Sequence, residues 1–289
     1  PAMATGSGMT DFAREFPGRF YDVGIEEEHA ATFSAGLAAG GLRPFCCIYS
    51  SFSQRAYDQI IHDIALQELP VTLCLDRAGL VGEDGATHQG VFDLSYLRNI
   101  PNLVIASPRD VRDMKKLVAL SAAFDGPIAI RYPKSGEDMG PGIQAQQAFR
   151  IGEWELLSSG RDVMIFAVGR MVQLAMQASI ELMGKGISAG VVDARFVAPM
   201  DKELLYWQAS GVRLVVTVEE NALSGGFGEG VLDALAQKSI DRPVLTLGVP
   251  DRFIAHGTVA QQLRECGLDA VSIAERIHSR QVAIREAGR

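Results

Sequence analysis

Two successive runs of short apolar segments, each followed by a helical pattern, constrain the fold of this 289-residue chain more than any other feature. In the first run RPFCCIYS (43–50), PVTLCLDR (70–77), NLVIASP (102–108) and PIAIRYP (127–133) read as buried strands bounded by Pro and polar residues. Near-helical spacing follows at 52–68, through Phe52, Ala56, Ile60, Ile64 and Leu66, and again at 111–123. In the second run DVMIFAVG (162–169), ISAGVVDAR (187–195), RLVVTVEEN (213–221) and PVLTLGVPD (243–251) alternate with helical patterns at 171–183, 202–209, 228–236 and from 258 onward. Strands alternating with helices imply βαβ units and parallel sheets. Between the runs, KSGEDMGPGIQAQQ (134–147) is rich in Gly and polar residues and reads as a linker. Two open α/β domains are therefore expected, at 1–140 and 151–289, with the boundary near 135–150.

The length gives both domains room for a core. A hydrophobic content of 47% and a charged content of 21% are ordinary globular values. The net charge of −8 disfavours nucleic acid, which needs a basic face. No apolar run approaches the roughly 18 residues of a membrane span, and PAMATGSGMT (1–10) lacks the charged and apolar regions of a signal peptide. Cys46, Cys47, Cys74 and Cys266 have no zinc-like spacing. They read as buried, reduced thiols, so a cytoplasmic setting is expected.

Open parallel sheets bind ligands at the carboxyl ends of their strands. That rule selects Glu27, after a strand-like FYDVG (20–24), then Tyr49, Ser50 and Phe52, then Asp76, Arg77 and the Gly-rich loop to His88, and finally 131–134. Each has a plainer reading. Adjacent glutamates favour a solvated helix start, Phe52 a core position, Arg77 an ion pair with Asp76 or Asp84, and a loop His an exposed position. A metal-ligand reading of Asp84, Thr87 and His88 is set aside because the spacing is unspecific. Gly225 to Gly230 lacks the dinucleotide spacing and reads as a tight strand-to-helix turn. His256 reads as structural or as an interface residue.

Taken together, DVGIEEEHA (22–30) and DRAGLVGEDGATHQGVFDLSYLRNIPN (76–102) resemble the 1-deoxy-D-xylulose-5-phosphate synthases, a family of transketolase-like thiamine-diphosphate enzymes. The resemblance runs from Pro1 to about His278 and covers the family's second and third domains, so the chain looks as if it begins within the family's sequence. It implies a parallel-sheet pyrimidine-binding domain followed by a transketolase C-terminal-like domain. It also implies a transferase joining pyruvate to glyceraldehyde 3-phosphate with loss of carbon dioxide, a step toward isoprenoid precursors, thiamine and pyridoxal. The cofactors implied are thiamine diphosphate and Mg2+.

By resemblance Glu27 is the carboxylate that hydrogen-bonds the aminopyrimidine ring, and it should sit in a dry pocket. Glu26 and Glu28 stand where the family commonly has Ala and Gln. Phe52 stacks on the pyrimidine, Ile25 lies at the cofactor, and Arg55 orients the site. His29 is a supporting group beside Glu27. Tyr49, Arg77 and Lys134 correspond to the acceptor-phosphate site, where the family usually has Arg in the last position; Lys supplies a point charge instead of a fork. Asp84 and His88 match polar positions of the active-site loop, with His88 suited to proton transfer. The metal-diphosphate motif GDG is absent. That half of the site is expected from a further N-terminal domain or a partner chain, within a homodimer. Competing readings are the beta chain of a 2-oxoacid dehydrogenase decarboxylating component and a non-catalytic assembly half; dehydrogenase beta chains lack the EHA and DRAG signatures. A transketolase is disfavoured on the same ground.

Overall fold

The computed structural model describes residues 1–134 and 149–287, so most of the expected linker lies outside the described residues. Strands β1 (Phe45–Tyr49), β2 (Thr72–Asp76), β3 (Val104–Ala106) and β4 (Ile128–Arg131) form a parallel sheet in the order β1-β2-β4-β3. Then follow β5 (Glu155–Ser158), β6 (Val163–Ala167), β7 (Ala189–Asp193), β8 (Phe196–Ala198), β9 (Leu214–Ala222) and β10 (Val244–Val249). Five of these make a second sheet, β10-β9-β6-β7-β5, parallel except at β5. The expected α/β class with two open sheets is what the chain forms. The exception is β8, which leaves the second sheet and pairs antiparallel with β3, at the edge of the first.

Register fixes where the site is built. Tyr49 lies beside Asp76 and Leu75 beside Arg131, so β1, β2 and β4 end on one rim. The central strands are buried on both faces and therefore read as continuous apolar runs. The helix Val111–Ala123 starts where expected because the Asp110 carboxylate accepts from Asp113 N.

Two sequence expectations change. The helix read over 52–68 is broken into α (Ser50–Ser53), 3-10 (Gln54–Ala56), α (Tyr57–Gln59) and π (Ile60–Ala65) segments. Ala56, Ile60 and Ile64 are all fully buried at four-residue spacing, and the wide π turn keeps them on one face. The segment FYDVG is no strand. Its backbone is engaged otherwise: Gly24 N donates to Asp22 Oδ1 and Val23 N to Pro1 O.

The Gly-rich turn at 225–230 packs as expected. Glu219, buried on β9, accepts from Phe227 N and Gly228 N at 2.7 Å each and caps the helix Phe227–Gln237. Burial pushes its carboxyl up to about 7, against the pull of those two N–H groups. A carboxyl raised in the fold binds its proton there more tightly than in the unfolded chain. Its stabilisation is complete below its ordinary value of 4.5 and is lost as pH rises through about 7. Thermal melts should therefore show Tm falling between pH 5 and 8, with at most about 3 kcal/mol from this group. Glu219→Gln should flatten that slope; an unchanged slope would move its origin elsewhere.

Candidate active site

Of the three adjacent glutamates, Glu27 alone is buried; Glu26 is exposed and Glu28 half-buried. Glu27 opens the helix Glu27–Ala39 and is 1% exposed. Its Oε2 lies 3.6 Å from Arg55 Nη1, and its Oε1 has no hydrogen-bond partner. A buried carboxylate oxygen without a donor is costly and calls for an outside group to meet it. His29, expected beside it, is exposed and stacks on Phe33. Ile25 is left at the surface, 67% exposed.

From Glu27 a continuous line of contacts crosses the rim. The Arg55 guanidinium sits over the Phe52 ring at 5.0 Å. Phe52 stacks with Tyr49 (5.7 Å) on one side and meets His88 edge-on (5.2 Å) on the other. Arg77 lies over the Tyr49 ring at 3.9 Å and pairs with Asp76 at 2.6 Å and Asp84 at 3.6 Å. Lys134 reaches the other Asp84 oxygen at 2.7 Å. The eight residues Glu27, Tyr49, Phe52, Arg55, Arg77, Asp84, His88 and Lys134 thus form one cluster, although they span more than one hundred positions.

Arg77 holds a left-handed backbone conformation (φ 60°), uncommon for a side chain of its size. Asp76 stabilises the turn by accepting from Arg77 N at 2.7 Å as well as from its guanidinium. Burial raises the Asp76 carboxyl above its ordinary range, opposed by Arg77. Burial likewise raises the Tyr49 phenol, again opposed by Arg77. A cavity of about 430 Å³ opens beside this cationic end, lined among others by Gly6, Ser7, Arg77, Lys134 and Arg170. Glu27, Phe52 and His88 do not line it. Asp84 bridges Arg77 and Lys134, so a dianion arriving there meets cations already neutralised in part.

The structure gives Arg131 a bracing task and adds Glu220 and Arg170, which the sequence left unmarked. Arg131, expected on the rim, is buried against Asp93 (2.9 Å) and donates to Glu220 O at 3.2 Å, so it braces the loop. Glu220 and Arg170 form an ion pair beneath Leu80. Two carboxylates in the otherwise apolar VVTVEEN were the available signal. Among the described residues no group of three or more His, Cys, Asp or Glu side chains is arranged to hold a metal, and no helix is long and apolar enough to cross a membrane. All four cysteines are free and buried.

Comparison with known proteins matches residues 1–136 to the transketolase pyrimidine-binding domain and 152–273 to the transketolase C-terminal domain. The 1-deoxy-D-xylulose-5-phosphate synthase of Caldanaerobacter subterraneus subsp. tengcongensis is 49% identical over 98% of the chain and 46% of its own length. The Aquifex aeolicus enzyme of the same name is 50% identical over 96% of the chain and 44% of its own length. The chain thus spans less than half the length of these relatives. A solved split-gene transketolase, described as an inactive beta4 tetramer, superposes with a TM-score of 0.87 at 33% identity, covering 96% of this chain and 90% of that one.

Proposed function

The chain belongs to the transketolase family through both of its domains, and on that premise we propose that it is the pyrimidine-binding and C-terminal portion of a 1-deoxy-D-xylulose-5-phosphate synthase. The reaction is the condensation of pyruvate with glyceraldehyde 3-phosphate with release of carbon dioxide. The observation that carries the reading is the buried, unpartnered Glu27 Oε1 at one end of a line of contacts whose other end is cationic. The synthase names of relatives near 50% identity favour this reaction over ketol transfer between sugars.

The residues present fit thiamine diphosphate at its pyrimidine end. Glu27 would accept from the ring through its free oxygen, and Phe52 would offer a stacking face; Ile25, two residues before Glu27, would add an exposed apolar side chain. When bound, the cofactor supplies the nucleophilic carbon and the electron sink for decarboxylation. Arg55 holds the carboxylate in place. Tyr49, Arg77 and Lys134 receive the acceptor phosphate, which exchanges with Asp84 for the two cations. His88, edge-on to Phe52, would move a proton at the acceptor oxygen. Mg2+ and the diphosphate belong to a further domain or a partner chain, in a homodimer of the assembled enzyme.

Assembly with the diphosphate-binding domain of a relative tests this. Pyruvate and glyceraldehyde 3-phosphate should give carbon dioxide and the five-carbon ketose phosphate. Ketol transfer from a ketose phosphate, with no decarboxylation of pyruvate, would replace the reading by a transketolase. The chain by itself should show no calorimetric binding of thiamine diphosphate at micromolar concentration, with or without Mg2+. The split-gene relative, inactive as a tetramer, gives that state a parallel. Micromolar binding would reveal a diphosphate site elsewhere in the chain.

A further inference from the structure

The loop between β2 and Asp93 carries Asp84 and His88, and its glycines suggest a mobile lid. Its two ends pair through the backbone of Gly79 and Gly90 (2.7 and 2.8 Å), and beyond that bridge the loop is held by side chains. Leu80 N donates to Glu220 Oε1 at 2.7 Å, and Arg170 Nη2 donates back to Leu80 O at 3.2 Å. Val81 N donates to Gln89 Oε1 at 2.9 Å. Gly82 N donates to Gln262 Oε1 at 2.9 Å, while Gln262 Nε2 donates to Gly82 O at 3.1 Å and Ala255 O at 2.8 Å. Three of these side chains, Glu220, Arg170 and Gln262, come from the second domain. Gln262 is 1% exposed, so its carboxamide has no water to turn to.

Packing points the same way. Leu80 and Val91, near the two ends of the loop, belong to the apolar core of the second domain, with Ile254, Leu247 and Val218. Gly79 (φ +84°) has no room for a Cβ because Glu220 occupies that space, and a Cβ on Gly82 (φ +69°) would sit tightly, 3.2 Å from Val259 Cγ2. Asp84 follows Gly82 by two residues, within the same 3-10 turn Gly82–Asp84.

We propose that Gln262 is a positioning residue for the acceptor site: it fixes Gly82, and through it the turn that presents Asp84 to Arg77 and Lys134 and His88 to Phe52. The C-terminal domain then contributes to the reaction as the template for the reactive loop. The kinetic consequence rests on the function proposed above; the mechanical one does not.

Hydrogen exchange on this chain and kinetics on the assembled enzyme test it together. Gln262→Met keeps the volume and removes all three polar contacts. Amides at 80–90 should exchange at least tenfold faster, while β9 and the helix Val259–Cys266 keep their protection. In the assembled enzyme the acceptor KM should rise roughly tenfold with the pyruvate KM unchanged. Gln262→Glu adds a reading that simple loss of packing would not produce. Protonated, its carboxyl can both accept from Gly82 N and donate to Gly82 O; ionised, it cannot donate. Loop exchange relative to wild type should therefore rise with pH in that variant alone. Unchanged exchange in Gln262→Met overturns the clamp. Faster exchange with both KM values unchanged overturns the positioning role. A wild-type assembly that does not convert pyruvate and glyceraldehyde 3-phosphate overturns the functional reading, and the exchange result still decides the clamp.

Discussion

Glu27→Gln in the assembled enzyme should lower turnover by about 10²- to 10⁴-fold, the range over which a positioned proton-transfer partner contributes. The fold should survive, because the substitution keeps the volume and removes a buried charge whose ion-pair partner, Arg55, lies at 3.6 Å. The measurement is twofold: steady-state turnover, and a thermal melt of the same preparation. Tm should hold or rise while activity collapses. Glu26→Gln and Glu28→Gln should each stay within about threefold of wild type, since neither side chain is buried. A fully active Glu27→Gln variant would move the role to another carboxylate.

The second large effect is at the acceptor. Arg77→Ala should raise the KM for glyceraldehyde 3-phosphate roughly tenfold or more and spare that for pyruvate, because a charge-assisted contact contributes about 1.5–3 kcal/mol. The geometry sharpens the expectation. Arg77 is shared among Asp76, Asp84 and the Tyr49 ring, so its removal also frees Asp84 to hold Lys134 alone. The remaining cation then faces a carboxylate competitor with no second cation to offset it. Lys134→Arg is the companion variant. A planar fork can reach Asp84 and a phosphate at once, so acceptor binding should hold or improve. A rise confined to the pyruvate KM in Arg77→Ala would assign Arg77 to the donor carboxylate.

Much of this was legible in the sequence, for identifiable reasons. Strands buried on both faces leave unbroken apolar runs, and β1, β2, β4, β6, β7, β9 and β10 all sit inside such runs. Strand ends on one rim then gathered Tyr49, Arg77 and Lys134 without further information. Glu27 needed the resemblance, because burial of one glutamate among three is decided by the helix phase and leaves no local mark. FYDVG misled because Phe20, Tyr21 and Val23 favour strands, while its backbone bonds to Asp22 and Pro1 and to no neighbouring strand. The short antiparallel β5 and β8 have too few residues to show a period. Gln262 and Glu220 were invisible for a different reason. A side chain that serves a backbone 180 or 140 positions away follows no spacing rule.

The strand β8 gives the boundary between the two halves a different meaning. The two family models meet the chain at 1–136 and 152–273, yet β8, from the second of these stretches, completes the first sheet against β3. A gene divided there would yield a leading fragment with β3 as an open edge, its N–H and C=O groups free to recruit a strand from another copy. Such a fragment should aggregate when expressed by itself and be rescued by co-expression of the trailing half. Proteolytic nicking of the same connection in the folded protein should leave the halves associated. Shuffling this family's modules would then succeed with the two domains moved as one block and fail with either moved singly.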